Sequence, residues 1–75
     1  MDMYYQNETL YIDIADGLSL EEYHLLKARI FRVVEDYGVD RVVINNHHHI
    51  FHNRFYLNQM KQDFTKTFSG DFLIK

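Results

Sequence analysis

The sequence predicts a single α/β domain over residues 1–75, in which an N-terminal hairpin leads into a βαβαβ arrangement. Apolar residues alternate with polar ones in Thr9–Ala15, which is typical of a strand with one face more deeply buried. Apolar residues then recur at steps of three and four in Leu20–Tyr37, which indicates an amphipathic helix. Two further short apolar runs can each form a strand. We therefore expect a small, mostly parallel four-stranded sheet with its helices mainly on one face.

The first two strands form the predicted hairpin. Asp2–Gln6 is a candidate edge strand, and Asn7-Glu8 is the turn, although Asn-Glu is a weaker hairpin signal than Asn-Gly. Thr9–Ala15 follows as the second strand, and Asp16-Gly17 ends it.

The first helix has the clearest sequence signals. Ser19 and Glu22 make a capping box, and the acidic residues of the first turn favour the positive end of the helix dipole. The helix is predicted over Leu20–Tyr37. Gly38 suits the left-handed residue that closes a helix.

The second half of the chain repeats the pattern of strand and helix. Arg41–Asn45 is predicted to be a strand parallel to the second one, followed by a loop over 46–52. Asn53 is a plausible N-cap for the second helix, and Gly70 can close that helix. Asp71–Lys75 is predicted to be the third parallel strand. In open α/β sheets sites lie at the carboxyl ends of the strands, which points to residues 45–54.

Composition excludes several classes of protein. The chain has no cysteine, so neither disulfides nor thiolate metal sites hold it together. No apolar run approaches a membrane span, and the N-terminus lacks the regions of a signal peptide. The net charge is −3 with scattered basic residues, which argues against nucleic acid as a partner. We therefore expect a cytoplasmic protein without a membrane or nucleic-acid partner.

Two stretches carry a resemblance to a known family. ETLYIDIADGLS stands where that family has its second strand and the turn into its first helix, and RVVINNHHHIFHNRF stands at its strand, short loop and helix start. On this pattern the chain resembles a STAS domain, the fold of bacterial anti-sigma factor antagonists. Asn45 would replace the strand-end Asp, Phe51 an apolar loop residue, and Asn53 the helix-capping Asp.

The chain departs from that family at two points. Arg54 and Phe55 stand where the family places its phosphorylatable Ser or Thr, so phosphorylation there cannot be the switch. The family's last helix is also missing after the third parallel strand, which would leave Phe72, Leu73 and Ile74 as an exposed apolar edge.

The resemblance implies a regulatory protein-interaction module rather than an enzyme. The six Phe and six Tyr exceed what a core of this size can hide, which favours a homodimer or binding to another regulatory protein. No acid–base pair or nucleophile meets the geometric requirements of catalysis. The predicted partner-binding residues are Phe51, Asn53, Arg54, Phe55, Tyr56, Phe72 and Ile74.

The histidine loop allows an alternative function. His47, His49 and His52 could bind zinc or nickel, and a metal- or pH-responsive regulator would use this loop as its sensor. The simpler interpretation is a solvated loop without a cofactor, because successive histidines point in different directions and no Cys or carboxylate lies nearby in sequence. The free N–H groups at the start of the second helix, beside Arg54, also allow an anion site, although every helix has such an end.

Overall fold

The computed structural model describes residues 2–75, which form four strands, two α-helices and one short 3₁₀ turn. In chain order the strands and α-helices are β1 (Asp2–Gln6), β2 (Thr9–Ile14), α1 (Leu20–Tyr37), β3 (Arg41–Asn46), α2 (Phe51–Phe64) and β4 (Asp71–Ile74). The 3₁₀ turn spans His47–His49, between β3 and α2. The predicted class, a small four-stranded mixed sheet with two helices, is confirmed.

The strands lie side by side in the order β1-β2-β3-β4. β1 and β2 are antiparallel, and their two-residue turn has positive φ at both Asn7 (53°) and Glu8 (60°). This conformation matches the twist of the strands that such a turn joins. β2, β3 and β4 are parallel, so each of the two connections between them is a crossover that contains a helix.

Both helices pack on the same face of the sheet. Leu10, Ile12 and Ile14 of β2 project to this face, and Val42 and Ile44 of β3 continue it. The helices contribute Tyr23, Leu26, Ile30, Leu57, Met60 and Phe64 to the same buried cluster. The alternation in β2 follows from this arrangement, because Tyr11 and Asp13 lie on the face without helices and are only partly buried.

Sequence signals at both ends of α1 are confirmed. The Ser19 hydroxyl accepts a hydrogen bond from the Glu22 N–H at 3.1 Å, and the Glu22 carboxylate accepts one from the Ser19 N–H at 3.0 Å. Gly38 follows Tyr37 with φ 64° and ψ 47°, the left-handed conformation in which glycine is favoured.

The bounds of α2 differ from the prediction. The helix begins at Phe51 and not after Asn53, and it ends at Phe64 with Thr65 as its C-cap. Gly70 therefore does not close the helix. It is needed for a close approach, because a Cβ at this position would collide with the backbone carbonyl of Asp40, which accepts a hydrogen bond from the Asp71 N–H at 3.1 Å.

The two helices are linked by an ion pair and by aromatic contacts. Lys27 of α1 donates a hydrogen bond to the Asp63 carboxylate of α2. This bond lowers the pKa of Asp63 and raises the pKa of Lys27. Tyr23 and Tyr56 stack with their ring centroids 5.0 Å apart. Within residues 2–75, neither helix combines the length and the apolar character needed to cross a membrane.

Candidate functional site at the carboxyl end of the sheet

A buried amide organises the carboxyl end of the sheet. The Asn53 side chain is fully buried, and its oxygen accepts a hydrogen bond from the Leu18 N–H at 2.7 Å. Its amide nitrogen donates to the Asp16 carbonyl at 2.9 Å and to the Asn46 side-chain oxygen at 3.2 Å. One side chain of α2 thus joins the β2–α1 loop to the end of β3. Asn53 is a structural residue inside the helix and not its N-cap.

The turn between β3 and α2 has an unusual backbone. His48 has φ 63° and His49 has φ 46°, in the left-handed region that non-glycine residues seldom adopt. The Asn46 side chain donates a hydrogen bond to the Ile50 carbonyl at 3.1 Å and so closes the turn. Ile50, the N-cap of α2, has no side-chain cap hydrogen bond. The turn is therefore closed by the Asn46 side chain and not by a side-chain cap of α2.

The three histidines that were candidates for metal binding diverge. His47 lies on the helix-free face of the sheet, with its Nε2 3.5 Å from a carboxylate oxygen of Asp13. His49 lines a pocket beside β4. The Nε2 of His52 is 2.8 Å from the Leu18 carbonyl, which can only accept, so this nitrogen carries the proton. Within residues 2–75, no group of three or more His, Cys, Asp or Glu side chains is placed to hold a metal ion.

The predicted partner-binding residues include exposed and buried side chains, with Tyr56 and Ile74 half-buried. Phe51 is 83% exposed and Phe55 is 73% exposed, four residues apart on the outer surface of α2, and the Arg54 side chain is also exposed. Asn53 and Phe72 are buried, so they cannot form part of a contact surface in this structure. The periodicity of the helix explains both outcomes, because the positions that face the sheet are Asn53, Leu57, Met60 and Phe64.

The edge of the sheet at β4 is partly covered. Phe72 points into the core against Phe64, with ring centroids 5.0 Å apart, and Ile74 is half-buried. Leu73 is 39% exposed on the helix-free face. β4 has β3 as its only neighbouring strand among the described residues, so its outer backbone groups are open. The expected apolar edge therefore consists of Leu73, part of Ile74 and the backbone.

A row of side chains across the helix-free face was not predicted. Strand register places Tyr4 beside Tyr11, Tyr11 beside Val43, and Val43 beside Leu73. The Tyr4 and Tyr11 rings stack with their centroids 4.9 Å apart. The sequence contains the alternation that creates this row, but the row becomes visible only when the register between strands is known.

A basic pocket lies between the outer side of α2 and β4. Arg54, Asn58 and Lys61 line it from α2, at the spacing that places residues on one side of a helix. His49 lines it from the 3₁₀ turn and Lys75 from the residue after β4, and its volume is about 430 Å³. Arg54 and His49 were candidate site residues in the sequence, but Asn58 and Lys61 were missed. Their helical spacing from Arg54 is the signal that could have found them.

Comparison of this chain with protein-family models, with curated proteins and with solved structures gives no match.

Proposed function

We propose that this chain is a non-enzymatic regulatory protein-interaction module that resembles an anti-sigma factor antagonist. The observation that carries the proposal is the exposure of Phe51 and Phe55 on the first turns of α2. Arg54 is exposed beside them. Aromatic residues and arginine are enriched at protein interfaces, and arginine is among the residues that most often dominate the binding energy there.

The energy available from these two rings is large enough to matter. Full burial of a phenylalanine side chain stabilises by about 1.5–3 kcal/mol. The two rings together therefore offer several kcal/mol of gross binding energy. Neither ring belongs to the buried cluster of the core. We define Phe51, Arg54 and Phe55 as the α2 contact surface.

Binding to the proposed partner need not depend on phosphorylation of this chain. By the resemblance to the STAS family, Arg54 and Phe55 would stand where that family has its hydroxyl residue. Regulation would then depend on the concentration of this chain, or on the fraction of it that is bound to a partner.

The proposal includes self-association through β4. The Asp71 and Lys75 N–H groups bond to carbonyls on the β3 side, so by alternation the groups of Phe72 and Ile74 point outward. An antiparallel pairing of two copies about Leu73 would join these outward groups. The same pairing would place Asp71 of one copy opposite Lys75 of the other, where their charges attract.

The α2 contact surface is tested by cross-linking in cells. A photo-reactive residue introduced at Gln59, near the α2 contact surface, should cross-link the otherwise native chain to a defined protein. The double variant Phe51→Ser/Phe55→Ser should lose this product. The control Leu20→Ser/Leu25→Ser removes comparable exposed apolar surface from α1 and should keep it. Equal loss in both variants, or the same product with all three chains, would contradict the proposal.

Self-association is tested by sedimentation equilibrium over a wide concentration range, with and without zinc. We expect a dimer in both conditions. Leu73→Lys should dissociate it, because the two introduced charges would lie opposite each other. Tyr4→Lys on the other edge strand should not. A monomer at all concentrations would remove the dimer from the proposal, and association only with zinc would favour a metal-dependent assembly.

A second candidate, a pH-responsive regulator, is favoured by the contact of His47 with Asp13. A protonated imidazole would attract the Asp13 carboxylate 3.5 Å away, and a neutral one would not do so to the same extent. Partner capture from position Gln59 at about pH 5 and about pH 8, in the native chain and in Asp13→Asn, is the test. Capture that changes equally with pH in both proteins, or does not change in the native chain, would exclude this contact as the sensor.

A further inference from the structure

The basic pocket concentrates positive charge in a protein whose overall charge is negative. Three of the eight Lys and Arg residues of the chain line it, namely Arg54, Lys61 and Lys75, and no Asp or Glu does. Elsewhere, Lys27, Arg32 and Arg41 each pair with an Asp side chain. Within residues 2–75 the side chains of the three pocket residues Arg54, Lys61 and Lys75 form no ion pair.

The groups that line the pocket suit a phosphoryl group. An arginine guanidinium can donate two parallel hydrogen bonds to phosphate oxygens, and a lysine ammonium adds a mobile point charge. Asn58 and His49 offer further polar groups at the same pocket. The Asn46 side chain already hydrogen-bonds to Ile50 and Asn53, so its position in the lining of the pocket is fixed.

The size and lining of the pocket narrow the class of ligand. A volume of about 430 Å³ falls within the range of small-molecule sites and exceeds what a single phosphate fills. No Phe, Tyr or Trp lines it among the described residues, and Ile74 is its one aliphatic side chain. A nucleobase would find no ring on which to stack. We propose that the basic pocket binds a small hydrophilic phosphate compound, of the class of pyrophosphate or a phosphorylated polyol.

This proposal can be tested separately from the α2 contact surface. Arg54 contributes to both, but Phe51 and Phe55 do not line the pocket. The variant Phe51→Ser/Phe55→Ser should therefore bind phosphate compounds as the native chain does. Loss of partner capture and loss of phosphate binding can thus be told apart.

The test is titration of the whole chain with inorganic pyrophosphate and with glycerol phosphate. Binding is measured by calorimetry and by the chemical shifts of the backbone amides in NMR spectra. Ionic strength is held constant with potassium chloride, because salt screens surface charges. We expect saturable binding, with the largest amide shifts at His49, Arg54, Asn58, Lys61 and Lys75. Glycerol, which lacks the charge, should cause no shift.

A charge-matched pair of variants distinguishes a specific binding site from non-specific electrostatic attraction. Arg54→Gln/Lys61→Gln should weaken pyrophosphate binding by about tenfold or more, because each lost cation removes charge-assisted hydrogen bonds. Arg32→Gln/Lys66→Gln removes the same charge from exposed positions outside the pocket and should weaken it much less. Equal weakening by both variants, linear titration without saturation, or amide shifts spread over the surface of the native chain would each overturn the proposal.

Discussion

The start of α1 and the start of α2 are held by different kinds of interaction. At α1 the Ser19 and Glu22 side chains satisfy backbone N–H groups of the same helix, and the partners are three residues apart. At α2 the N-cap residue Ile50 makes no side-chain cap bond. There Asn53 bonds instead to Asp16 and Leu18, which lie more than thirty residues away in sequence.

The two kinds of helix start have different consequences for the fold. A local cap fixes where a helix begins but does not depend on the rest of the fold. The long-range amide network at α2 fixes the helix relative to the β2–α1 loop and the end of β3. Because the left-handed His48 and His49 precede this helix, the same network must also offset a strained turn. The basic pocket and the α2 contact surface both lie on the helix that is held in this way.

The largest expected effect comes from Asn53→Ala. This change leaves the Leu18 N–H and the Asp16 carbonyl without their buried partner and opens a small cavity. We expect a loss of about 3 kcal/mol in the free energy of unfolding, since unsatisfied buried polar groups cost about 1–3 kcal/mol each. Urea denaturation followed by circular dichroism measures the loss.

Asn58→Ala is the matched control for Asn53→Ala. It removes the same side chain from the same helix at an exposed position, so the free energy of unfolding should change by less than about 0.5 kcal/mol. If both substitutions cost the same, the amide network is not what holds α2, and the contrast between the two helix starts fails.

This contrast also explains how far the sequence could predict the structure. The bounds of α1 follow from Ser19, Glu22 and Gly38, each of which acts within a few residues. The start of α2 was misplaced because Asn53 looks like a cap in sequence, whereas its partners are supplied by the fold. The pocket was not predicted for the same reason, since Lys75 reaches it only when β4 pairs with β3. Exposure of Phe51 likewise depends on where α2 begins.

Ser19→Ala tests the local cap and should have the next largest effect. It removes the hydroxyl that accepts from the Glu22 N–H. A lost N-cap costs about 1 kcal/mol, so the free energy of unfolding should fall by about that amount. Ser19→Gly should cost less, because glycine is itself tolerated at an N-cap. Equal costs for Ala and Gly would show that the hydroxyl is not the stabilising group.

His48→Gly tests the strained turn and should stabilise the protein. Glycine adopts φ near 63° without the steric cost that histidine bears there. The gain is reduced by the greater freedom of glycine in the unfolded chain, so we expect about 0.5 kcal/mol. The opposite sign is expected for Gly38→Ala, which places a side chain at a left-handed residue after α1. Thermal unfolding of the two variants compares them directly, and destabilisation by His48→Gly would show that the turn is not strained.

The smallest expected effect is the dependence of the α1 cap on pH. The hydrogen bond from the Ser19 backbone N–H lowers the pKa of Glu22, and the Ser19 side chain adds to this effect. Because the pKa is lower in the folded state, the cap stabilises fully at pH values above the ordinary glutamate pKa. This stabilisation is lost as the pH falls through the folded-state pKa of Glu22.

Glu22→Gln should therefore flatten the acid side of the curve of unfolding free energy against pH. Glu21→Gln, in the same helical turn but outside the capping box, should flatten it less. Chemical denaturation at a series of acidic pH values measures both slopes, and identical slopes for the two variants would show that the capping box adds nothing beyond the charge of the first turn.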